Sequence, residues 1–305
     1  MDNSDLLDKF LTEELRETTE NAPQNLKEAA VHAVFGGGGR VRPTLTLAVV
    51  RALSGTIDNV VLGAASAVEL IHCASLVHDD MPCFDNADTR RGKPSVHKKF
   101  GEPVALLTGD GLIAGAFEIL ARNAAAHPRF AEMVQLLARA VGASDGLVSG
   151  QAWEDRPNAL VETVHERKTG ALFEAATMMG ALAAEADTVP WRNLGRAIGA
   201  AYQAADDLLD AAGQTEIAGK PILQDQRRAV ASSVTSEGLL PAALRFHELA
   251  EAAANAVPDC AGRKRLIELV RKTADRLCPA TLAIAAQARG RALHAHEPKY
   301  NRASM

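Results

Sequence analysis

Residues 59–80, NVVLGAASAVELIHCASLVHDD, are nearly all apolar until two adjacent aspartates close the run. A helix that is apolar all round has to be buried on every side. The stretch therefore predicts a helix at the centre of a domain, wrapped by other helices. Its end is a different matter: Asp79 and Asp80 are followed by Asp85 and Asp88, with Arg90 and Arg91 directly behind them. Carboxylates this close repel one another and cost free energy unless a cation or several donors sit between them. A solvated loop after a buried helix is one reading, a metal site the other.

The rest of the chain supplies helices to wrap the first. Leu6, Leu7, Phe10, Leu11 and Leu15 recur at helical spacing behind Ser4, a suitable N-cap. A second helix is predicted over about 25–34, ending at the four glycines of 36–39, and a third opens around Pro43, since proline suits a first helical turn. The run EPVALLTGDGLIAGAFEILARNAAA from Glu102 reads as another. Further helical segments are predicted near 129–153, 158–185, 190–212, 226–255 and 261–290, with a frayed tail over 296–305. Hydrophobic residues make up 47% of the 305, yet aromatics only 4%, so the core is built from Ala, Leu, Val and Ile. Helix formers outweigh strand formers. No strand-turn-strand pattern, internal repeat or long linker breaks the chain. One all-α domain spanning 1–305 is expected.

The net charge of −5 gives no clustered basic surface for nucleic acid, so an anionic ligand would need local cations or a metal. Cys73, Cys83, Cys260 and Cys278 form no CxxC pair and read as ordinary thiols of a reducing compartment. The first residues are acidic and amphipathic, unlike a signal peptide. No stretch reaches roughly 18 uninterrupted apolar residues. A cytoplasmic protein with no transmembrane segment is expected.

A second acidic cluster, AYQAADDLLDAAG from Ala201, answers the first. Asp206 and Asp210 lie four apart and share a helix face, with Tyr202 one turn earlier and Gln203 close to it. Alone, such a pair is as well read as a solvated acidic face. In the first cluster, Asp79 and Asp85 are about 240° apart on an ideal helix, so they can meet only if the chain turns. Pro82 disfavours helical geometry at Met81 and removes an amide donor, which predicts that turn and lets Asp85 fold back beside Asp79 and Asp80. Two aspartate clusters at the ends of apolar helices, with basic residues nearby, suit Mg²⁺ ions bridging to diphosphate oxygens.

DDMPCFD resembles the first aspartate-rich motif of trans-isoprenyl diphosphate synthases, the polyprenyl synthetases, in the form with two extra residues, and DDLLD resembles the second. GGGGRVRP, LIHCASLVHDD, RRGKPSVHKKFGE, TGDGLIAGAFEIL, GQAWE, KTGALF and GKPILQD follow in family order. The likeness is greatest to geranylgeranyl diphosphate synthases of bacterial carotenoid pathways. It implies antiparallel helices around a deep central cavity (the isoprenoid synthase fold), usually as a homodimer. It also implies condensation of isopentenyl diphosphate with an allylic diphosphate, using three Mg²⁺ ions. By resemblance Asp79, Asp80, Asp85, Asp206 and Asp210 hold the metals, with Asp207 acting through water. Asp79, Asp80, Asp85, Lys168 and Asp206 then carry the chemistry. Arg90, Lys168, Thr169 and Gln203 contact the allylic diphosphate. Arg42, His72 and Arg91 bind isopentenyl diphosphate, and Tyr202 and Lys220 belong with the substrate-binding groups. His72 could equally be a satisfied core histidine, His97 is expected behind the site, and Trp153 in packing.

The chain departs from the family pattern in three places. Gly39 stands where a lysine is usual, leaving Arg40 and Arg42 as the cations there. Ala87 replaces a frequent acid, and Pro221 a frequent aspartate, leaving Lys220 and Asp225 nearby. Product length is read from Ala74, five residues before Asp79 and about 7.5 Å deeper along the helix, with Ser75 beside it. Members that stop at fifteen carbons often carry an aromatic at this level, so two small residues imply a twenty-carbon product, with Ile71 as a possible floor. The alternatives are a farnesyl diphosphate synthase, a non-catalytic partner subunit, which would tend to lose an aspartate motif, and a class I terpene cyclase, whose cavity would be richer in aromatics.

Overall fold

In a computed structural model of the 305-residue chain, the described residues are 3–154, 156, 160–211 and 239–278. The apolar run forms α4 (Asn59–Asp79), started by Asp58, whose carboxylate accepts from the Val61 amide at 3.0 Å. Around it lie α1 (Asn3–Thr18), α2 (Gln24–Val34), α3 (Val41–Ala52), α5 (Val96–Phe100), α6 (Glu102–Ala124), α7 (Phe130–Val141), α8 (Leu147–Glu154) and α9 (Val161–His165). A π turn over Glu166–Gly170 leads into α10 (Ala171–Ala183), then α11 (Val189–Ala211), α12 (Leu239–Asn255) and α13 (Arg263–Leu277). α4 packs on α6, α3 and α10, and α11 on α10 and α12.

The two largest apolar cores share α10. One gathers Leu11, Val34, Leu70, Ile119, Met133 and Leu172 around α4. The other gathers Leu45, Val49, Phe173, Leu194, Ala254 and Leu266, joining α3 and α10 to α11, α12 and α13. Threonines pin the helices: Thr46 donates to the Ala176 carbonyl at 2.9 Å and Thr177 to that of Trp191 at 2.7 Å.

The structure differs from the sequence reading in several elements. The helix expected over 129–153 is broken after Val141, where Gly142 takes an extended ψ of 173°. The segment expected over 158–185 is not uniform but carries the π turn. The helix expected over 226–255 is described only from Leu239, and the helix expected over 261–290 is described only up to Leu277; residues 226–238, 279–290 and the tail 296–305 lie outside the described residues. A two-residue hairpin also exists, Thr89 opposite Pro94 and Arg90 opposite Lys93. Its turn residues Arg91 (φ 54°) and Gly92 (φ 74°) are both left-handed, the type I′ geometry that matches strand twist. Strands this short leave no alternation to read.

By length and composition α4 and α6 would each suffice to cross a membrane, although polar residues interrupt the apolar run of each. Within the protein 78% of the apolar window of α4 is buried, so it is accounted for as a core helix; for α6 the share is 44%.

Candidate active site

The C-terminal end of α4 is where the first acidic cluster sits. After Asp79 the chain turns back: the Asp85 amide donates to the Asp79 carbonyl at 2.9 Å, the Ala87 amide to that of Asp80 at 3.1 Å, and Asn86 is left-handed at φ 47°. The turn predicted at Pro82 thus brings Asp85 to Asp79. A helix C-terminus already carries partial negative charge, so these acids need cations. Two supply it. Arg90, from the hairpin, forks onto the Asp80 carboxylate, with Nε at 3.0 Å from Oδ1 and a second, shorter contact from Nη2. Lys168 bridges Asp79 at 3.1 Å and Glu154 at 2.7 Å. Burial pushes the Asp80 carboxyl up, with Arg90 opposing. Burial works against the Lys168 ammonium, but Asp79 and Glu154 outweigh it and hold its pKa up at about 12.

Lys168 is placed by the π turn, whose i→i+5 bonding widens the helix by one residue and recurs at functional sites. α8 closes on that turn so tightly that a Cβ at Gly150 would lie 2.3 Å from the Lys168 nitrogen. Only glycine fits. The same turn carries Thr169, which donates to Gln203 at 2.8 Å, and Gln203 donates to Asp207 at 2.8 Å. Asp207 is buried in this relay. His165, held below its ordinary value by burial, faces Asp207 and Asp206. The side chain of Asp210, with Lys220, Pro221 and Asp225, lies outside the described residues. Among the described residues no three His, Cys, Asp or Glu side chains converge closely enough to hold a metal by themselves.

Seven residues before Asp79 on α4, His72 marks a second site of opposite character. Arg42 Nη1 and Arg91 Nη2 each lie 3.5 Å from its Nε2. Two guanidinium donors aimed at one nitrogen make that nitrogen the acceptor, so the ring is neutral with its proton on Nδ1. Burial, then Arg42 and Arg91, push its pKa well below 6.5. Arg42 is 6% exposed, stacks 4.3 Å over Phe173 and 5.4 Å over Tyr202, and its Nε has no hydrogen-bond partner among the described residues. Arg91 is bonded to the Gly37 carbonyl and lies against Gly38, where a Cβ would be 2.4 Å from its guanidinium carbon. Gly37 and Gly38 have φ of 112° and 125°, so both need glycine. Buried positive charge without a matching carboxylate is what an anion site requires.

Arg40, which the sequence reading counts with Arg42 among the cations there, is engaged by acids in this structure. It pairs with Glu69 at 2.8 Å and Asp8 at 3.1 Å and lies 5.3 Å over the Phe35 ring. Glu69 is the one acid inside the apolar run, and it is 1% exposed. A buried carboxylate demands a cation, and Arg40 is taken up by it.

Below Asp79 an apolar pocket of about 250 Å³ opens, lined by Ile71 and Ser75 of α4, Ile113 of α6, Val141 and Leu147. Ser75 and Ile71 follow Asp79 down one side of α4. Ala74 is not in the lining; it is 1% exposed and packed into the core around Leu70 and Ile119. The level is right and the face is wrong, because one residue turns a helix by about 100°. Ser95 and His97 bond to each other at 3.0 Å behind the hairpin, and Trp153 is exposed rather than packed in the core. Glu154, His165 and Glu69 were missed by sequence reasoning. Only Glu69 carried a local signal, as a lone acid in an apolar helix.

Helices enclosing an apolar pocket, with paired carboxylates at its mouth and a separate cationic pocket beside it, define an isoprenoid synthase. The model of the polyprenyl synthetase family matches residues 23–262, and the chain belongs to that family. It is 47% identical over 263 residues to a geranylgeranyl diphosphate synthase of Cereibacter sphaeroides, covering 86% of this chain and 91% of the relative. Among solved structures it resembles an FPP/GFPP synthase of Zymomonas mobilis, with a TM-score of 0.71 and 32% identity over 89% of this chain and 96% of the other. A geranyltransferase of Helicobacter pylori complexed with magnesium and isoprenyl diphosphate gives a TM-score of 0.73 at 27% identity, covering 88% and 96%.

Proposed function

We infer that the chain is a prenyltransferase that joins isopentenyl diphosphate to allylic diphosphates and releases geranylgeranyl diphosphate. The observation that carries this is the pair of sites on α4: Asp79 over an apolar pocket, and Arg42, His72 and Arg91 around a buried positive charge. The reaction needs both. The allylic C–O bond breaks, and its electron pair leaves with diphosphate. The π bond of the second substrate then forms the new C–C bond, and a proton is lost to the released diphosphate. Lys168 and Arg90 stand at the mouth to bind the departing oxygens. Ile71, Ile113 and Leu147 keep water from the allylic cation. Arg42 and Arg91 hold the second diphosphate, and neutral His72 orients them.

The donors at the mouth are all carboxylate oxygens, which suits Mg²⁺, and no three of the described ones converge alone, so diphosphate oxygens would complete the shells. Asp79, Asp80 and Asp85, with Asp206, Asp207 and Asp210, would hold Mg²⁺, three ions being the expectation. The metal supplies positive charge to the leaving group when bound. Asp80 is engaged by Arg90 and Asp207 by Gln203, so these two would act after their partners shift or through water.

A homodimer is part of this reading. Leu106 and Leu107 of α6 are 48% and 56% exposed on a helix otherwise apolar enough for a core, so a second copy would cover them. So are a cytoplasmic location, with Cys73, Cys83 and Cys260 as free thiols, and supply of carotenoid-type isoprenoid synthesis. The test is incubation of the purified chain with labelled isopentenyl diphosphate, Mg²⁺ and dimethylallyl, geranyl or farnesyl diphosphate, followed by mass analysis. A twenty-carbon diphosphate is expected. Failure to incorporate the label with any primer would overturn the reading.

A further inference from the structure

A further group of cations lies away from α4, on a surface that neither diphosphate site uses. Gln24, Lys27, Glu28, Val31 and His32 share one face of α2, continued by Phe35. That face is one wall of an open groove of about 510 Å³, and Lys93 of the hairpin and Lys99 of α5 form the other. The volume falls within the roughly 300–1,000 Å³ of small-ligand pockets. Three ammonium groups thus line one groove, in a chain whose net charge is −5.

Lysines at a surface are ordinarily solvated or paired with an acid. Here the acids at hand are turned elsewhere. Lys98, next to Lys99, takes Asp88 at 2.7 Å, and Glu28 accepts from Gln24 at 2.9 Å. Lys27, Lys93 and Lys99 have no ion pair among the described residues. Lys99 is nevertheless held in place. His32 Nε2 lies 2.8 Å from the Pro94 carbonyl, which makes it the donor, so Nδ1 accepts from Lys99 Nζ at 3.4 Å. The same ammonium sits 5.0 Å over the Phe100 ring, which meets His32 edge-on at 5.6 Å. Lys27 spends one donor on the Glu20 carbonyl. Each ammonium therefore keeps at least two of its three N–H donors. Ordering like charges around one space costs side-chain entropy and repulsion that no carboxylate here offsets. A bound anion would offset both. Between the lysines the surface is apolar, with Val31 half exposed and Phe35 partly buried.

We propose that this groove is a third anion site, which binds a diphosphate moiety without metal. The phosphates lie on Lys27, Lys93 and Lys99, and any attached carbons over Val31 and Phe35. Free inorganic diphosphate and a prenyl diphosphate both carry that moiety. The site goes beyond the functional reading above and does not rest on it: it adjoins the hairpin of Arg90 and Arg91, but none of its lining side chains belongs to either site already described.

The experiment is calorimetric titration of inorganic diphosphate into the full chain with chelator present. Wild type is compared with Lys93→Ala/Lys99→Ala and, from the opposite wall, Lys27→Ala. Because Arg42 and Arg91 also offer unbalanced positive charge, the readout is stoichiometry. The double variant should bind one equivalent fewer than wild type, and Lys27→Ala should weaken that equivalent about tenfold. Both variants should melt within a few degrees of wild type and keep kcat and the isopentenyl KM within about twofold. An unchanged stoichiometry overturns the site, and so does orthophosphate binding as tightly as diphosphate. A tenfold rise in the isopentenyl KM would place the lysines in the site already described and overturn a separate one. Geranyl diphosphate, titrated under the same conditions, separates the sources. Tighter binding that Val31→Ser removes assigns the groove to a prenyl diphosphate, and binding equal to the inorganic anion assigns it to free diphosphate. The titration does not depend on turnover, so a chain that consumes no isopentenyl diphosphate would sink the functional reading and leave this test standing.

Discussion

α4 carries two charged regions seven residues apart, and they are built on opposite principles. At Asp79 and Asp80 every acid has met a base: Lys168 on Asp79 and Glu154, Arg90 on Asp80. At His72 the bases, Arg42 and Arg91, have no acid between them. A cluster with more carboxylates than bases repels an added anion, and takes one only when further positive charge comes with it. An unbalanced positive cluster takes an anion unaided. The two diphosphates should therefore differ in their dependence on metal, although they sit beside one another.

The largest expected effect tests that difference directly. Chelating Mg²⁺ should abolish turnover and the binding of a non-hydrolysable allylic analogue, while isopentenyl diphosphate still binds, measured by calorimetry with and without chelator. Equal loss at both sites would break the comparison.

Next is Asp79→Ala, and Asp206→Ala beside it. A group that brings positive charge to the leaving oxygens contributes several kcal/mol, so turnover should fall at least about a thousandfold. The thermal midpoint should hold within a few degrees, since Asp79 lies at a partly exposed mouth. Near-normal turnover at saturating Mg²⁺ would remove the metal role from these clusters.

The cationic region has its own signature in acid. His72 is half-buried and neutral in the fold, with its pKa pushed well below 6.5 by desolvation and by the arginines. A group with a depressed folded pKa contributes stability above its unfolded value and loses it as pH falls toward the folded one. Below pH 6.5 wild type should therefore lose up to about 1.4 kcal/mol per pH unit from this residue alone. His72→Gln should show a shallower fall between pH 6.5 and 5 in thermal or urea unfolding. Identical slopes would mean that the ring is charged in the folded state.

These regions were unequally legible in the sequence. The acidic mouth was readable because its pieces are close in the chain: Pro82 forces the turn, and Asp206 and Asp210 share a face by spacing alone. The cationic pocket was not, because Arg42, His72 and Arg91 come from three elements and meet only in the fold. A family resemblance named them where periodicity could not. Lys168 sits on a π turn, and one residue of extra winding leaves no trace in the apolar pattern of 158–185. That Arg40 is engaged by Glu69 was not legible, because Glu69 lies inside an otherwise apolar run. A single buried acid there was the available sign that some cation would be drawn away from the ligand.

Product length involves the smallest expected change in rate. It also shows how finely α4 divides its duties. The residue chosen from sequence was Ala74, at the right depth; in the structure it faces the core, and Ser75 and Ile71 line the pocket under Asp79. The aromatic that should cap the pocket is therefore Ser75→Phe. Its ring would enter the 250 Å³ space one turn below Asp79, displacing no packed side chain and costing only the Ser75 hydrogen bond to the His72 carbonyl at 2.9 Å. The product should shift from twenty carbons to fifteen, with the fold and the first condensation intact. Ala74→Phe forces the same volume into a closed core and should destabilise by about 1–3 kcal/mol or more, leaving the product of any surviving enzyme at twenty carbons. Chromatography of products from a geranyl primer, alongside a melt of each variant, separates the two. If Ala74→Phe is stable and shortens the product while Ser75→Phe does not, the growing chain runs along the other face of α4 and the pocket under Asp79 has been misassigned.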